Sequence, residues 1–303
     1  MRKAFCDSLM SHADVGQFVF LTGDLGFRAL EPLQTAMGMR FINAGVAEQN
    51  MVSVAAGMAR HGLRPWTYSI APFMYARPFE QIRNDVCLHG FPVVMVGNGG
   101  GYGYGVMGGT HHAIEDYGTL LTLSGMRAFL PAFDTDVPHV VNQLMDITGP
   151  AYLRLGLSEE PRGWSPPKFE AWRKLVSGRQ ATLISVGPLA GSMWQACCEL
   201  PEVERPHLWC LSQLPLSALP PELLADIRDS DVLCVAEEHV AHGGAGESLA
   251  VQLVRQGCVP RRFIQRTALG YPSKRYGSQK FHRRECELDP HALLEAIRCE
   301  GTP

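Results

Sequence analysis

The sequence contains no Cys-x-x-Cys pair, and its 9 cysteines are scattered, with only Cys197-Cys198 adjacent, a spacing that suits no metal. An odd thiol count without paired spacing reads as scattered core thiols in a reduced, cytoplasmic setting. No apolar run is long enough to span a membrane, and the basic Met1-Arg2-Lys3 is not followed by the apolar stretch of a signal peptide. Neither charge dominates: 27 Lys and Arg face 30 Asp and Glu, for a net charge of -3. That balance gives no sign of a nucleic-acid or membrane partner. The chain has no internal repeat, no P-loop ending and no recognisable Ser or Cys nucleophile motif.

What remains is an ordinary globular composition, 46% hydrophobic and 19% charged over 303 residues, long enough for two domains with cores. Strands are expected at 18–21, 40–43, 66–70, 92–96, 127–130 and 151–154. Helices are expected at 2–10, from Val46 onward, at 73–88, 114–123 and 134–147. In the helix after Val46, Met51, Val54, Ala55 and Met58 recur at helical spacing. In the long helix 73–88, Phe73, Ala76, Ile82 and Val86 share one face. The alternation of strand and helix predicts a largely parallel α/β sheet. Pro161, Gly163, Pro166 and Pro167 mark a linker, placed at 161–178, between a first domain at 1–160 and a second at 179–303. The second repeats the α/β pattern, with strands near 181–186, 207–211, 232–236 and 263–265 and helices near 193–200, 221–227, 246–254 and 290–297.

Three stretches could carry chemistry. In Asn43-Ala44-Gly45-Val46-Ala47-Glu48-Gln49-Asn50-Met51, Glu48 falls in the first turn of a helix, where the dipole favours a carboxylate. Ala47, Val52, Ala55 and Ala56 surround it with poorly solvating side chains. Spacing alone favours a plain helix-start acid. The loop from Gly97 to Gly109 carries glycines that could approach a phosphate, although it has no dinucleotide fingerprint. Thr110-His111-His112 follows at the carboxyl end of a strand, where α/β sheets build sites. Adjacent histidines share no face, so a two-histidine metal site is not expected.

Taken together, Gly23-Asp24, Gly45 to Met51, Phe73 and Gly108-Gly109-Thr110-His111 resemble, in order, the pyrimidine-binding half of transketolases and of 1-deoxyxylulose-5-phosphate synthase. Arg77-Pro78-Phe79-Glu80-Gln81 is similar to the synthase's helix, and Arg2-Lys3-Ala4 to the opening of the transketolase domain. Glu237-Glu238-His239 with Gly243-Gly244-Ala245-Gly246 resembles these enzymes' C-terminal domain. The resemblance covers nearly the whole chain and implies a thiamine diphosphate-binding pyrimidine domain followed by a transketolase C-terminal domain. By it, Glu48 hydrogen-bonds the cofactor's pyrimidine nitrogen, so that the exocyclic amine can take the thiazolium proton and leave the nucleophilic ylide. Phe73 stacks on the pyrimidine, Phe79 forms a second wall, and Asp24 belongs to the pyrimidine-side motif. His111 contacts substrate, and Arg2, Arg77, His112 and Arg154 are further substrate contacts.

The family's magnesium ion, which carries the diphosphate, is held through a Gly-Asp-Gly and a downstream Asn. No Gly-Asp-Gly occurs here. The resemblance therefore implies the C-terminal subunit of a split transketolase, with Mg2+ and the diphosphate held by a partner subunit and an α2β2 heterotetramer as the assembly. The substrate side departs from the family pattern. Met107 stands at a family Asp, Gly99 at a phosphate-binding His and Leu157 at a phosphate-binding Arg, while the glycines of 97–109 leave space for a larger or unphosphorylated acceptor. Two other readings remain open: a β subunit of a 2-oxoacid dehydrogenase, and a non-catalytic regulatory subunit of the same fold.

Overall fold

The computed structural model of the protein describes residues 1–26, 29–161, 163–179 and 181–298. Residues 27–28, 162, 180 and 299–303 lie outside the described residues; all but the first two fall in the expected linker and second domain. The strands are β1 Phe18–Thr22, β2 Phe41–Asn43, β3 Arg64–Ile70, β4 Val94–Asn98, β5 Arg127–Phe129, β6 Ala151–Leu155, β7 Trp172–Val176, β8 Ala181–Val186, β9 His207–Leu211, β10 Gln213–Leu214, β11 Val232–Ala236 and β12 Arg262–Arg266. Among the described residues they form two sheets, ordered β10-β5-β6-β4-β3-β1-β2 and β12-β11-β8-β9-β7. All pairings are parallel except β10 with β5 and β7 with β9. The expected α/β class with two largely parallel sheets is the observed one. Strands β1, β6, β8 and β11 are buried along their whole length, as strands covered on both faces must be.

The helices are α1 Arg2–Met10, α2 Glu31–Met37, α3 Glu48–Arg60, α4 Ala71–Tyr75, α5 Phe79–Gln81, α6 Asp116–Leu120, α7 Val137–Met145, α8 Ala190–Glu199, α9 Pro221–Asp229, α10 Ala245–Arg255, α11 Gln279–Glu285 and α12 Pro290–Arg298. No helix of the described residues is long and apolar enough to cross a membrane. In α3, Met51 and Ala55 are buried as the spacing predicts, but Val54 is exposed.

The single helix expected over 73–88 is broken. It is two short helices, α4 and α5, followed by a π-helical turn Ile82–Cys87. Pro78 has no N–H to donate and its ring crowds the preceding turn, so the backbone leaves the helical path at Ala76–Pro78. Ile82 and Val86 are buried, whereas Ala76 is exposed. The break also sets Arg77 in a turn beside the start of α3.

Two segments tie the halves together. Trp172–Val176, which its neighbouring prolines place in the linker, is an edge strand of the second sheet. Gln213–Leu214 crosses back to pair with Phe129 and Ala128 at the edge of the first. One buried apolar cluster accordingly runs from Val19 and Met95 in the first sheet to Ile184 and Leu233 in the second.

Candidate active site

Strands β1, β3 and β4 end side by side, with Thr22 opposite Tyr68 and Ile70 opposite Asn98. The segments leaving their carboxyl ends carry most of the expected site residues, as the topology of a parallel sheet requires. Glu48 is the first residue of α3 and only 3% exposed. Ser69 at the end of β3 donates to its Oε1 at 3.3 Å, and Arg77 donates to its Oε2 at 2.7 Å. The Arg77 guanidinium carbon also stands 4.2 Å from the centre of the Phe73 ring. Phe73 meets the His111 ring edge-on, with centroids 5.5 Å apart. Thr110 Oγ1 lies 2.9 Å from His111 Nδ1 and orients that ring. Glu48, Phe73 with Arg77, and His111, from three separate stretches of sequence, thus form one constellation.

Phe79 is half-buried and packs on the apolar core that α3 also joins. Gly23 abuts Ser69 and the Gly45 carbonyl, close to Glu48. Asp24 instead faces away: it accepts from Asn43 Nδ2 at 3.1 Å and lines a cavity of about 210 Å3 with Thr22, Leu25 and Asn43, in which Glu48, Phe73 and His111 take no part.

Two expected substrate contacts are placed elsewhere. His112 is 3% exposed; its Nε2 donates to the Gly105 carbonyl at 2.8 Å, and its Nδ1 accepts from the Tyr271 hydroxyl at 2.9 Å. Burial lowers its pKa, which agrees with this neutral tautomer. His111 and His112 both donate their backbone N–H to the Gly108 carbonyl in a tight turn, and there the first ring meets Phe73 while the next meets Tyr271 of the second domain. Arg154 is also buried. It donates to Asp116 Oδ2 at 2.8 Å and to the carbonyls of Ala113 and Glu238 at 2.8 and 2.9 Å, so its guanidinium ties the two halves together and does not face Phe73. Arg2 is exposed at the start of α1. Burial raises the Tyr104 hydroxyl pKa, and the Asn98 hydrogen bond and the Arg2 charge oppose that rise.

The glycine loop is a packing device. Gly99 has φ of +76°, and a Cβ there would overlap the Tyr104 ring. Cβ atoms at Gly100 and Gly101 would strike Arg154 and Glu238. The space expected from these glycines is therefore already filled by neighbouring side chains. Tyr104 was not legible as a site residue. Its ring sits 5.9 Å from His111, and Asn98 donates to its hydroxyl at 2.8 Å. Its only sequence signal is a pair of tyrosines between glycines. Met107 is on an exposed 3-10 turn, and Leu157 is exposed.

Glu237-Glu238-His239 forms the seam between the halves. Glu237 is fully buried and accepts from the Tyr117 hydroxyl at 2.5 Å, from the backbone N–H of Ala245 and Gly246 at 2.7 and 2.9 Å, and from Gln265 at 3.2 Å. Glu238 accepts from Tyr102 N, Gln279 and Arg283 at 3.0–3.2 Å. His239 stacks on Tyr117 at 3.9 Å and accepts from the Gly118 N–H at 3.1 Å.

A planar cation with N–H donors already fits between Glu48 and Phe73, so the acceptor and stacking groups present suit a flat, donor-bearing heterocycle. Among the described residues no group of three or more His, Cys, Asp or Glu could hold a metal.

These features match known proteins. The transketolase pyrimidine-binding domain matches residues 1–159. The chain is 29% identical over 273 residues to an apulose-4-phosphate transketolase subunit of Phocaeicola vulgatus, covering 87% of this chain and 86% of that one. It is 32% identical over 157 residues to the 6-deoxy-6-sulfo-D-fructose transketolase subunit SqwH of a Clostridium species, covering 51% and 49%. A split-gene transketolase solved as an inactive β4 tetramer superposes with a TM-score of 0.83 at 26% identity, over 98% of this chain and 96% of that one. With a subunit-sized relative matching over most of both chains and the domain covering residues 1–159, the chain belongs to the transketolase pyrimidine-binding family and has the architecture of a split-transketolase subunit.

Proposed function

We propose that this chain is the pyrimidine-binding half of a split transketolase that moves a two-carbon ketol unit from a ketose donor to a carbonyl acceptor, active only with a partner subunit that holds Mg2+ and the diphosphate of thiamine diphosphate. The buried Glu48 carboxylate facing Phe73 and His111 carries this reading. Thiamine diphosphate, when bound, supplies an acidic thiazolium carbon that serves as nucleophile and electron sink. Glu48 would hold a proton on the pyrimidine nitrogen, from a place with little competing water. Ser69 orients the same carboxylate, and Phe73 offers a ring face for stacking. His111, held by Thr110, would hydrogen-bond the substrate's oxygen near the reacting carbon.

The acceptor end is set by Tyr104 and Asn98, with Arg2 beyond. Two family phosphate contacts are absent at Gly99 and Leu157, and Arg154 is consumed in the seam. Each charged hydrogen bond contributes roughly 1.5–3 kcal/mol, so we assign the chain an acceptor whose far end is not clamped as a phosphate. The relatives named for an apulose 4-phosphate and for a sulfo-deoxy sugar are consistent with a varied far end in this family. The assembly we propose is an α2β2 heterotetramer in the cytoplasm; the subunit-sized relative supports the need for a partner subunit, and the inactive β4 relative supports inactivity of this half alone.

The test is reconstitution. The chain by itself should bind thiamine diphosphate weakly and show no ketol transfer, and activity should appear on adding a subunit with the diphosphate domain. Full activity from the chain alone would refute the reading. In the reconstituted enzyme, a higher kcat/KM for ribose 5-phosphate than for neutral or deoxy aldehydes would refute the acceptor assignment.

A further inference from the structure

Arg77 makes, within the chain itself, the two contacts that the reading above gives to the cofactor's aminopyrimidine. One of its N–H groups reaches Glu48 Oε2 at 2.7 Å, and its planar head lies 4.2 Å from the Phe73 ring centre. The guanidinium and a protonated aminopyrimidine share the features that matter here: both are flat, carry charge in the plane and present N–H donors along one edge. Both cannot occupy the same carboxylate oxygen and ring face. We propose that Arg77 is an internal occupant of the pyrimidine position, a latch that keeps Glu48 paired in the uncomplexed site and must swing out for the cofactor to enter.

The local structure suits such a part. Glu48 is 3% exposed, so an unpartnered carboxylate there would be costly, and Arg77 satisfies it. The Arg77 side chain is 41% exposed, so on release its charge passes into water. Arg77 sits in the turn that Pro78 forces between α4 and α5, where the backbone is outside any helical hydrogen-bond ladder. An incoming pyrimidine restores to Glu48 and Phe73 the contacts that Arg77 gives up, so the exchange is between like interactions. By contrast, a substrate-binding role would aim the guanidinium away from the acid.

The proposal rests on Glu48 and Phe73 being the pyrimidine contacts, and the experiment separates the two ideas. Thiamine diphosphate affinity is measured by calorimetry on the chain reassembled with its diphosphate-domain subunit, for wild type, Arg77→Ala, Phe73→Ala and Glu48→Gln. Arg77→Ala should tighten binding by about tenfold, because a latched population no longer competes, while Phe73→Ala and Glu48→Gln weaken it. If Phe73→Ala and Glu48→Gln leave affinity unchanged, the site reading fails. If they weaken it but Arg77→Ala leaves it equal or weaker, the latch fails and the site stands. A second readout needs no Ala variant: in the wild-type complex, the Arg77 Nε–H resonance, assigned by its loss in Arg77→Lys, should lose protection from solvent exchange when cofactor is added. Unchanged protection would overturn the proposal.

Discussion

Glu48 and Glu237 are both buried carboxylates at a helix N-terminus, and their surroundings differ in one respect. Glu237 has four donors, three of them buried and the fourth the half-buried Gln265. Glu48 has two, a serine at 3.3 Å and an arginine whose side chain is 41% exposed. An acid fully satisfied by the fold is structural, because any new partner would have to break an existing bond. An acid held mainly by a partly exposed side chain is available for exchange with a ligand. The same contrast separates His111 from His112, adjacent in sequence but directed to the Phe73 side and to the seam respectively.

The contrast can be broken from either side. Glu48→Gln should leave the unfolding midpoint close to wild type while slowing deuterium exchange at the cofactor's thiazolium carbon by ~10²–10⁴-fold in the assembled enzyme. An unchanged exchange rate would make Glu48 as structural as Glu237. Glu237→Ala should do the reverse. It strips partners from the Tyr117 hydroxyl and from two N–H groups of α10, for a loss of about 3 kcal/mol in urea unfolding. A midpoint near wild type would mean that the seam is not the structural half of the pair.

A smaller effect is expected at Gly99. Gly99→His, which restores the family's residue, forces a side chain onto a positive φ and into the Tyr104 ring. The expected loss is about 1–3 kcal/mol. Tyr104→Ala should recover part of it in a double-mutant cycle, and strict additivity would show that Tyr104 does not fill that space.

The smallest effect is the pH dependence of the seam. Burial holds the His112 pKa below its ordinary 6.5. The unfolded chain thus takes up this proton at higher pH than the native one. Its contribution to stability is complete above about 6.5 and is lost as pH falls toward the depressed native value. His207 and His282, also lowered by burial, act in the same direction. The unfolding midpoint should therefore fall between about pH 7 and about pH 5.5, and His112→Phe should flatten that slope. An unchanged slope would exclude His112 as a contributor.

Local pattern alone set the positions of most strands and helices, whereas Glu48 reads from spacing as a plain helix-start acid and gains a site role only from the family resemblance. Mostly apolar runs such as Ala181–Val186 and Val232–Ala236 fit strands covered on both faces, and a parallel sheet builds its sites at the carboxyl ends of its strands. Short elements such as Gln213–Leu214 were not readable, because two residues carry no periodicity and their pairing with β5 is a long-range event. Nor was the fate of Arg77, His112, Arg154 and the glycine loop. Which way a side chain turns, and what already occupies the space beside a glycine, depends on neighbours far away in sequence. Arg154 belongs to the seam because Asp116 and the Glu238 carbonyl meet it there. Arg77 reaches Glu48 because Pro78 breaks a helix that periodicity alone would continue, and only the folded chain brings that turn against the start of α3.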